Sequence, residues 1–139
     1  MKSFSTTIDI QASAETVWAI LTNVAQYAEW DPTLIKMEGT IALNQQLTIY
    51  SKLAPNRAFT PKVVTFEAPN RMVWSSGMPF GLFKGERTFV LTPTQGGVRF
   101  MMNEAFTGPM MAMIGSSIPD MTEPFNQFAT ALKARAESH

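Results

Sequence analysis

The stretch Ile114-Gly115-Ser116-Ser117-Ile118-Pro119-Asp120-Met121-Thr122-Glu123-Pro124-Phe125-Asn126-Gln127-Phe128-Ala129-Thr130-Ala131-Leu132 decides how the rest of this 139-residue chain is read. Its apolar residues Ile114, Ile118, Met121, Phe125, Phe128 and Leu132 recur in steps of three and four, which aligns them on one face of an α-helix. The spacing predicts a long C-terminal helix over 108–136, with Pro119 and Pro124 interrupting it. Gly115-Ser116-Ser117 allows the helix to restart with Ser117 as its cap and Pro119 in the first turn. Pro124 then falls inside the helix, removes a backbone hydrogen bond and bends it. A bent helix leaves room underneath, on the Met-rich side.

Such a helix needs a partner surface, and the middle of the chain supplies one. Strand patterns occupy 35–38, 46–52, 59–67, 72–76, 85–92 and 98–106. Turn signals separate them: Leu43-Asn44-Gln45, Pro55-Asn56-Arg57, Ala68-Pro69-Asn70, Met78-Pro79-Phe80-Gly81 and the run from Pro93 to Gly97. Short connections between consecutive strands describe an antiparallel meander. At the N-terminus Phe4, Thr6, Ile8 and Ile10 alternate with Ser5, Thr7 and Asp9, a further half-buried strand. Ser13 with Glu15 then reads as a capped helix start. Val17, Leu21 and Val24 form its inner stripe, widened by Trp18 and Ile20. Asn23 and Gln26 suggest a capping box for a second short helix, which Asp31-Pro32 ends. Trp18 and Trp30 read as packing anchors; the face of Trp74 is open, because the turn at Pro69-Asn70 allows either parity. Strand, two short helices, six strands and a long helix make one α+β domain over 1–139.

One hairpin can be read to the residue. If 85–92 and 98–106 join through an even loop centred on Gln95-Gly96, Leu91 faces Phe100, Phe89 faces Met102 and Arg87 faces Glu104. All six then share one face, because side chains alternate along a strand. That face is the apolar one, so it points at the C-terminal helix and sets an ion pair into its wall. An odd loop would shift the register and remove the pair.

Composition excludes several functions. Eleven Lys/Arg balance eleven Asp/Glu and are scattered, so the basic footprint of a nucleic-acid binder is missing. The chain has no cysteine and one histidine, His139, read as a solvated tail, so no zinc site or metal centre is expected. The N-terminus lacks a signal-peptide pattern and no apolar run approaches the length of a transmembrane helix. A soluble, cytoplasmic protein without a cofactor is expected. Ten methionines, six of them from Met101 to Met121, suit an adaptable apolar interior.

Ile8-Asp9-Ile10-Gln11-Ala12-Ser13-Ala14-Glu15-Thr16-Val17-Trp18, continued by Tyr27-Ala28-Glu29-Trp30-Asp31-Pro32, resembles the opening of the START/Bet v 1-like (SRPBCC) superfamily. Within it the chain is most similar to the bacterial polyketide cyclase/dehydrase-like and lipid-transport-like group. Gly85 to Leu91 with Gly96-Gly97-Val98-Arg99, and Glu104-Ala105-Phe106-Thr107-Gly108 before the final helix, agree with it, so the resemblance spans essentially the whole chain. It implies a helix-grip fold: a seven-stranded antiparallel sheet curved around the C-terminal helix, enclosing a cavity for an apolar ligand. It assigns no catalytic set, since relatives include carriers, receptors, cyclases and co-chaperones.

On that frame the ligand-binding candidates are Arg87, Phe89, Leu91, Phe100, Met102, Glu104, Met111, Ile114, Ile118, Met121 and Phe125. Arg87 and Glu104 either orient a polar group of the ligand or simply neutralise each other. The apolar connection Gly77 to Gly85 holds Met78, Phe80, Leu82 and Phe83, which gate the cavity mouth, touch a membrane or partner, or fold back onto the core. Pro109 to Ile114 is a second such segment, and the two together would make a lid. The leading function is binding or transport of a small hydrophobic molecule such as a lipid, fatty acid or polyketide-like aromatic. An alternative is a metal-free cyclase or dehydratase in the same cavity, with Glu104 or Arg87 handling a proton. The lack of an internal histidine, a cysteine or a nucleophile motif weighs against it. A third is a co-chaperone-like interaction module, which calls for a filled interior and a broad exposed apolar patch.

Overall fold

The computed structural model describes residues 2–138; His139, read above as a solvated tail, lies outside them. The elements follow as β1 (Lys2–Ile10), α1 (Ala14–Leu21), a 3-10 turn (Val24–Gln26), α2 (Tyr27–Trp30), β2 (Leu34–Glu38), β3 (Thr48–Ser51), β4 (Lys62–Glu67) and β5 (Arg71–Gly77). A second 3-10 turn (Pro79–Gly81), β6 (Lys84–Thr94), β7 (Gly97–Thr107), α3 (Met111–Ile114), a third 3-10 turn (Gly115–Ser117) and α4 (Thr122–Glu137) complete the chain. This is the expected α+β order with seven antiparallel strands around a C-terminal helix.

The seven strands are divided. Five form one sheet in the order β1-β7-β6-β5-β4, and β2 pairs with β3 in a separate ribbon. The ribbon joins the segment leading into β4 through bridges at Gln46↔Lys62 and Ile49↔Phe59 and through further backbone hydrogen bonds, Leu47 N–H to Pro61 O at 2.8 Å and Val63 N–H to Gln45 O at 2.9 Å among them. The strands expected over 46–52 and 59–67 are correspondingly trimmed to Thr48–Ser51 and Lys62–Glu67. Pro61 contributes to this in the second strand, since it has no N–H to donate to a ladder.

The β6–β7 hairpin has the register read from the sequence. Arg87 pairs with Glu104, Phe89 with Met102 and Leu91 with Phe100. Gln95 and Gly96 form the loop, and Gly96 supplies the positive φ of +90° that a tight hairpin turn demands. Trp74 lies opposite Arg87 across β5–β6, which places it on the same concave face.

Local signals at the first helix also hold. The Thr16 N–H donates to Ser13 Oγ at 3.1 Å, and Glu15 stands in the first turn. Asn23, by contrast, makes no side-chain capping bond, so the expected capping box is absent. α2 stops at Asp31, whose extended backbone (ψ 107°) meets the restriction imposed by Pro32.

The C-terminal stripe differs from its expected course. Ile118 is extended (φ −76°, ψ 121°) ahead of Pro119, so the chain breaks between Ser117 and Thr122 instead of bending within one helix. Ser117 does not cap α4; its Oγ donates to Ile114 O at 2.7 Å. The Thr122 N–H is instead accepted by Asp120 Oδ1 at 2.9 Å. Pro124 becomes the third residue of α4, where an N–H would have no helical partner, and it causes no kink. From Thr122 to Glu137 the helix is continuous and buries Phe125, Phe128, Ala129, Leu132 and Ala136.

Phe128 is the hub of the core. Its ring centroid lies 5.1 Å from Trp30, 6.1 Å from Phe100 and 6.4 Å from both Tyr27 and Phe89. Trp18 and Trp30 are buried, as their reading as anchors required. Among the described residues no helix is long and apolar enough to cross a membrane.

Candidate functional site

Between α4 and the concave face, the chain encloses a cavity of about 720 Å³. Phe89, Met102, Phe106 and Trp74 form the sheet wall, and Met121, Phe125 and Phe128 the helix wall. A large apolar lining with few polar groups is what a small-molecule site requires. Eight of the eleven sequence candidates line it: Arg87, Phe89, Met102, Glu104, Ile114, Ile118, Met121 and Phe125. Leu91, Phe100 and Met111 do not. Leu91 and Phe100 share the same sheet face but lie towards the hairpin turn, in the packed core where Phe128 stacks on Phe100. Met111 packs against the core from α3.

The Arg87–Glu104 pair is formed, with the Arg87 Nε–H donating to Glu104 Oε1 at 2.6 Å. The guanidinium carbon also sits 5.1 Å from the Phe125 ring centroid, a cation–π contact across the cavity. Glu104 is 13% and Arg87 29% exposed, so the pair is sheltered but not dry. Neither terminal nitrogen of Arg87 donates to another protein group among the described residues. A guanidinium holds five donors in a fixed fork, so this one retains capacity for a second acceptor.

Asp31 was read only as a helix stop, yet it lines the same cavity. It is buried, and its Oδ1 accepts from the Thr33 N–H at 2.9 Å and the Thr33 hydroxyl at 2.7 Å. Burial pushes its carboxyl above the usual range, against the Thr33 hydrogen bonds and the attraction of Arg87. Burial likewise raises the phenol of Tyr27, whose OH donates to Leu21 O at 2.6 Å. The sign for stability follows. An acid with a raised folded pKa binds its proton more tightly folded than unfolded, so stability falls as pH rises from the ordinary carboxylate range through the raised value. Asp31→Asn keeps an acceptor for Thr33 and removes the buried charge. It is expected to raise Tm at neutral pH, with the gain vanishing in acid; thermal melts across pH 4–7.5 read this out, and a gain equal at all pH would contradict it.

The segment from Gly77 to Gly85 splits in two. Phe83 turns inward, stacking on Phe106 at 5.9 Å, and with Met78 it lines the cavity. Phe80 and Leu82 point away from the lining and are exposed, Phe80 at 99%. The Met110 N–H donates to Leu82 O at 2.9 Å, so the two apolar segments do meet. Gly108 permits this contact: a Cβ there would lie 2.6 Å from Leu82 O. The opposite rim comes from residues 49–61, which sequence reading had not assigned to the site; Ile49, Leu53, Arg57 and Phe59 all border the cavity.

A five-stranded sheet, a gripping helix and an apolar chamber with one ion pair define a helix-grip fold with an internal cavity. The chain belongs to the family described as polyketide cyclase / dehydrase and lipid transport, whose sequence profile matches residues 1–137. Comparison with curated proteins finds no match. Among solved structures it is similar to a START superfamily protein from Mycobacterium smegmatis, at 19% identity and TM-score 0.71, covering 98% of this chain and 97% of that one. It is also similar to hypothetical protein jhp0584 from Helicobacter pylori (12%, TM-score 0.77, 97% and 88% covered). The di-domain ARO/CYC StfQ of the steffimycin biosynthetic pathway matches at 14% identity and TM-score 0.72, over 98% of this chain and 51% of its own length. At these identities the structures share the fold.

Proposed function

We propose that the protein binds and carries a small amphipathic molecule, with its apolar body in the cavity and one acceptor group at Arg87. The observation that carries this reading is a 720 Å³ chamber with an apolar lining and one guanidinium that has donors to spare. Fatty acids and carbonyl-bearing polyketide-like aromatics fit that description. A protein-interaction module has no need of such a chamber. Native mass spectrometry of the freshly purified protein, then after incubation with a fatty acid, is expected to show a one-to-one adduct. Absence of any adduct across fatty acids and aromatic ketones would sink the carrier reading.

Asp31 favours a second reading. A buried carboxyl with a raised pKa beside the same cavity has the character of a general acid for a cyclisation or dehydration. Turnover of a bound polyketide-like ligand that stops in Asp31→Asn, or in Glu104→Gln, would identify the enzyme; unreactive binding identifies the carrier.

A further inference from the structure

The cavity mouth is rimmed by three segments, 52–62, 77–85 and 107–118, and their chemistry differs from the rest of the surface. They present Leu53, Phe59, Met78, Phe80, Leu82 and Met113 to solvent as large apolar side chains. They also contain Lys52, Arg57, Lys62 and Lys84 and not one Asp or Glu. The whole chain is neutral with eleven charges of each sign, so the remainder carries seven cations against eleven acids. Two acids flank the segments in sequence. Glu86 pairs with Lys84 at 3.4 Å, and Asp120, which the Thr122 N–H holds ionised, is countered by the Lys2 ammonium, itself donating to Gly115 O and Ile118 O of the third segment. The mouth is thus the positive, greasy end of a neutral molecule.

Phe80 stands at its tip. It is 99% exposed and adopts φ 61°, ψ 21°, a left-handed conformation that a bulky side chain rarely takes. Neither burial nor local conformation accounts for a phenylalanine here. Met113, 75% exposed, projects from the neighbouring segment, which the Met110–Leu82 backbone bond ties to the Phe80 turn. Separate protruding apolar tips above scattered cations suit a fluid, anionic surface better than a flat protein interface. The apolar tips enter the headgroup layer while Lys and Arg meet the phosphates.

We propose that this mouth docks on an anionic lipid bilayer, with Phe80 and Met113 inserted and Arg57, Lys62 and Lys84 at the headgroups. The docking does not depend on the carrier reading, and the two are measured separately. The protein is sedimented with vesicles of phosphatidylcholine alone and of phosphatidylcholine with phosphatidylglycerol. Binding is expected only with phosphatidylglycerol, weakening as salt rises. A Phe80→Asp/Met113→Asp variant is expected to lose at least tenfold in vesicle affinity with an unchanged circular dichroism spectrum. Arg57→Gln/Lys84→Gln is expected to weaken binding to anionic vesicles and flatten the salt dependence. No vesicle binding, equal binding to both vesicles, or binding untouched by the Asp variant overturns the proposal. So does concentration-dependent dimerisation that Phe80→Asp abolishes, since the surface then belongs to a second copy of the chain. Adduct formation with a soluble fatty acid, or its failure, reports on the cavity alone.

Discussion

Phe128→Ala is expected to destabilise the fold by about 3–5 kcal/mol, the usual cost of emptying a large aromatic site in a core. Phe128 is the one α4 side chain whose ring meets aromatic rings from both the helical and the sheet side: Tyr27 and Trp30 on α2, Phe89 on β6 and Phe100 on β7. Those rings are held by separate backbones and cannot collapse together into the space left behind. The site also borders the cavity, so truncation merges a new void with an existing one. Domains of this kind have total stabilities of about 5–15 kcal/mol, so the loss is a large share. Urea unfolding measures it. Phe80→Ala in the same assay is expected to change stability by less than about 0.5 kcal/mol, since an exposed ring contributes no burial. Comparable losses in the two variants would mean that Phe128 is not the hub its contacts indicate.

The ion pair gives the second large effect, and its direction is asymmetric. Removing Arg87 leaves Glu104, the more sheltered partner at 13% exposed, as an uncompensated carboxylate in an apolar wall. Removing Glu104 leaves a guanidinium that is 29% exposed and still rests on Phe125. Arg87→Ala is therefore expected to cost about 2–3 kcal/mol and Glu104→Ala only about 1 kcal/mol, below the full penalty of a dry pair because water reaches both. In Arg87→Leu/Glu104→Leu most of the loss is expected to return, because no orphaned charge remains. That double variant then isolates function from stability. If Arg87 receives the ligand's acceptor group, a folded double variant binds a fatty acid about ten- to a hundredfold more weakly, the worth of a charge-assisted hydrogen bond. Unchanged affinity in a stable double variant would reduce the pair to self-neutralisation.

What could be read from the sequence depended on how local the determining contact was. The Arg87/Glu104 register was legible because one two-residue turn, Gln95-Gly96, and strict alternation set it without outside help. Trp74 was ambiguous because its turn contains Ala68-Pro69-Asn70 and β4 carries a bulge between Val63 and Thr65; its face is set by pairing with β6 instead. From the sequence, Pro119 falls in the first turn with Ser117 as cap, which leaves Pro124 inside the helix. The extended conformation that Pro119 forces on Ile118 moves the helix start to Thr122, which leaves Pro124 in the first turn. Asp31 was masked by its obvious job of stopping α2 ahead of Pro32. Its place on the cavity wall comes from tertiary packing, as does that of Ile49, Leu53 and Phe59, and no periodicity announces either.

The irregular join between the β2–β3 ribbon and the segment leading into β4 closes one side of the chamber without a continuous ladder. Five strands share continuous ladders, whereas five backbone hydrogen bonds between residues 44–49 and 59–63 hold the ribbon's free side. Opening that seam would break these bonds and uncover Leu47 and Val63, both fully buried. The seam runs beside Ile49 and Phe59, on the chamber's own wall. The chamber wall on that side is therefore closed by backbone hydrogen bonds and buried side chains together.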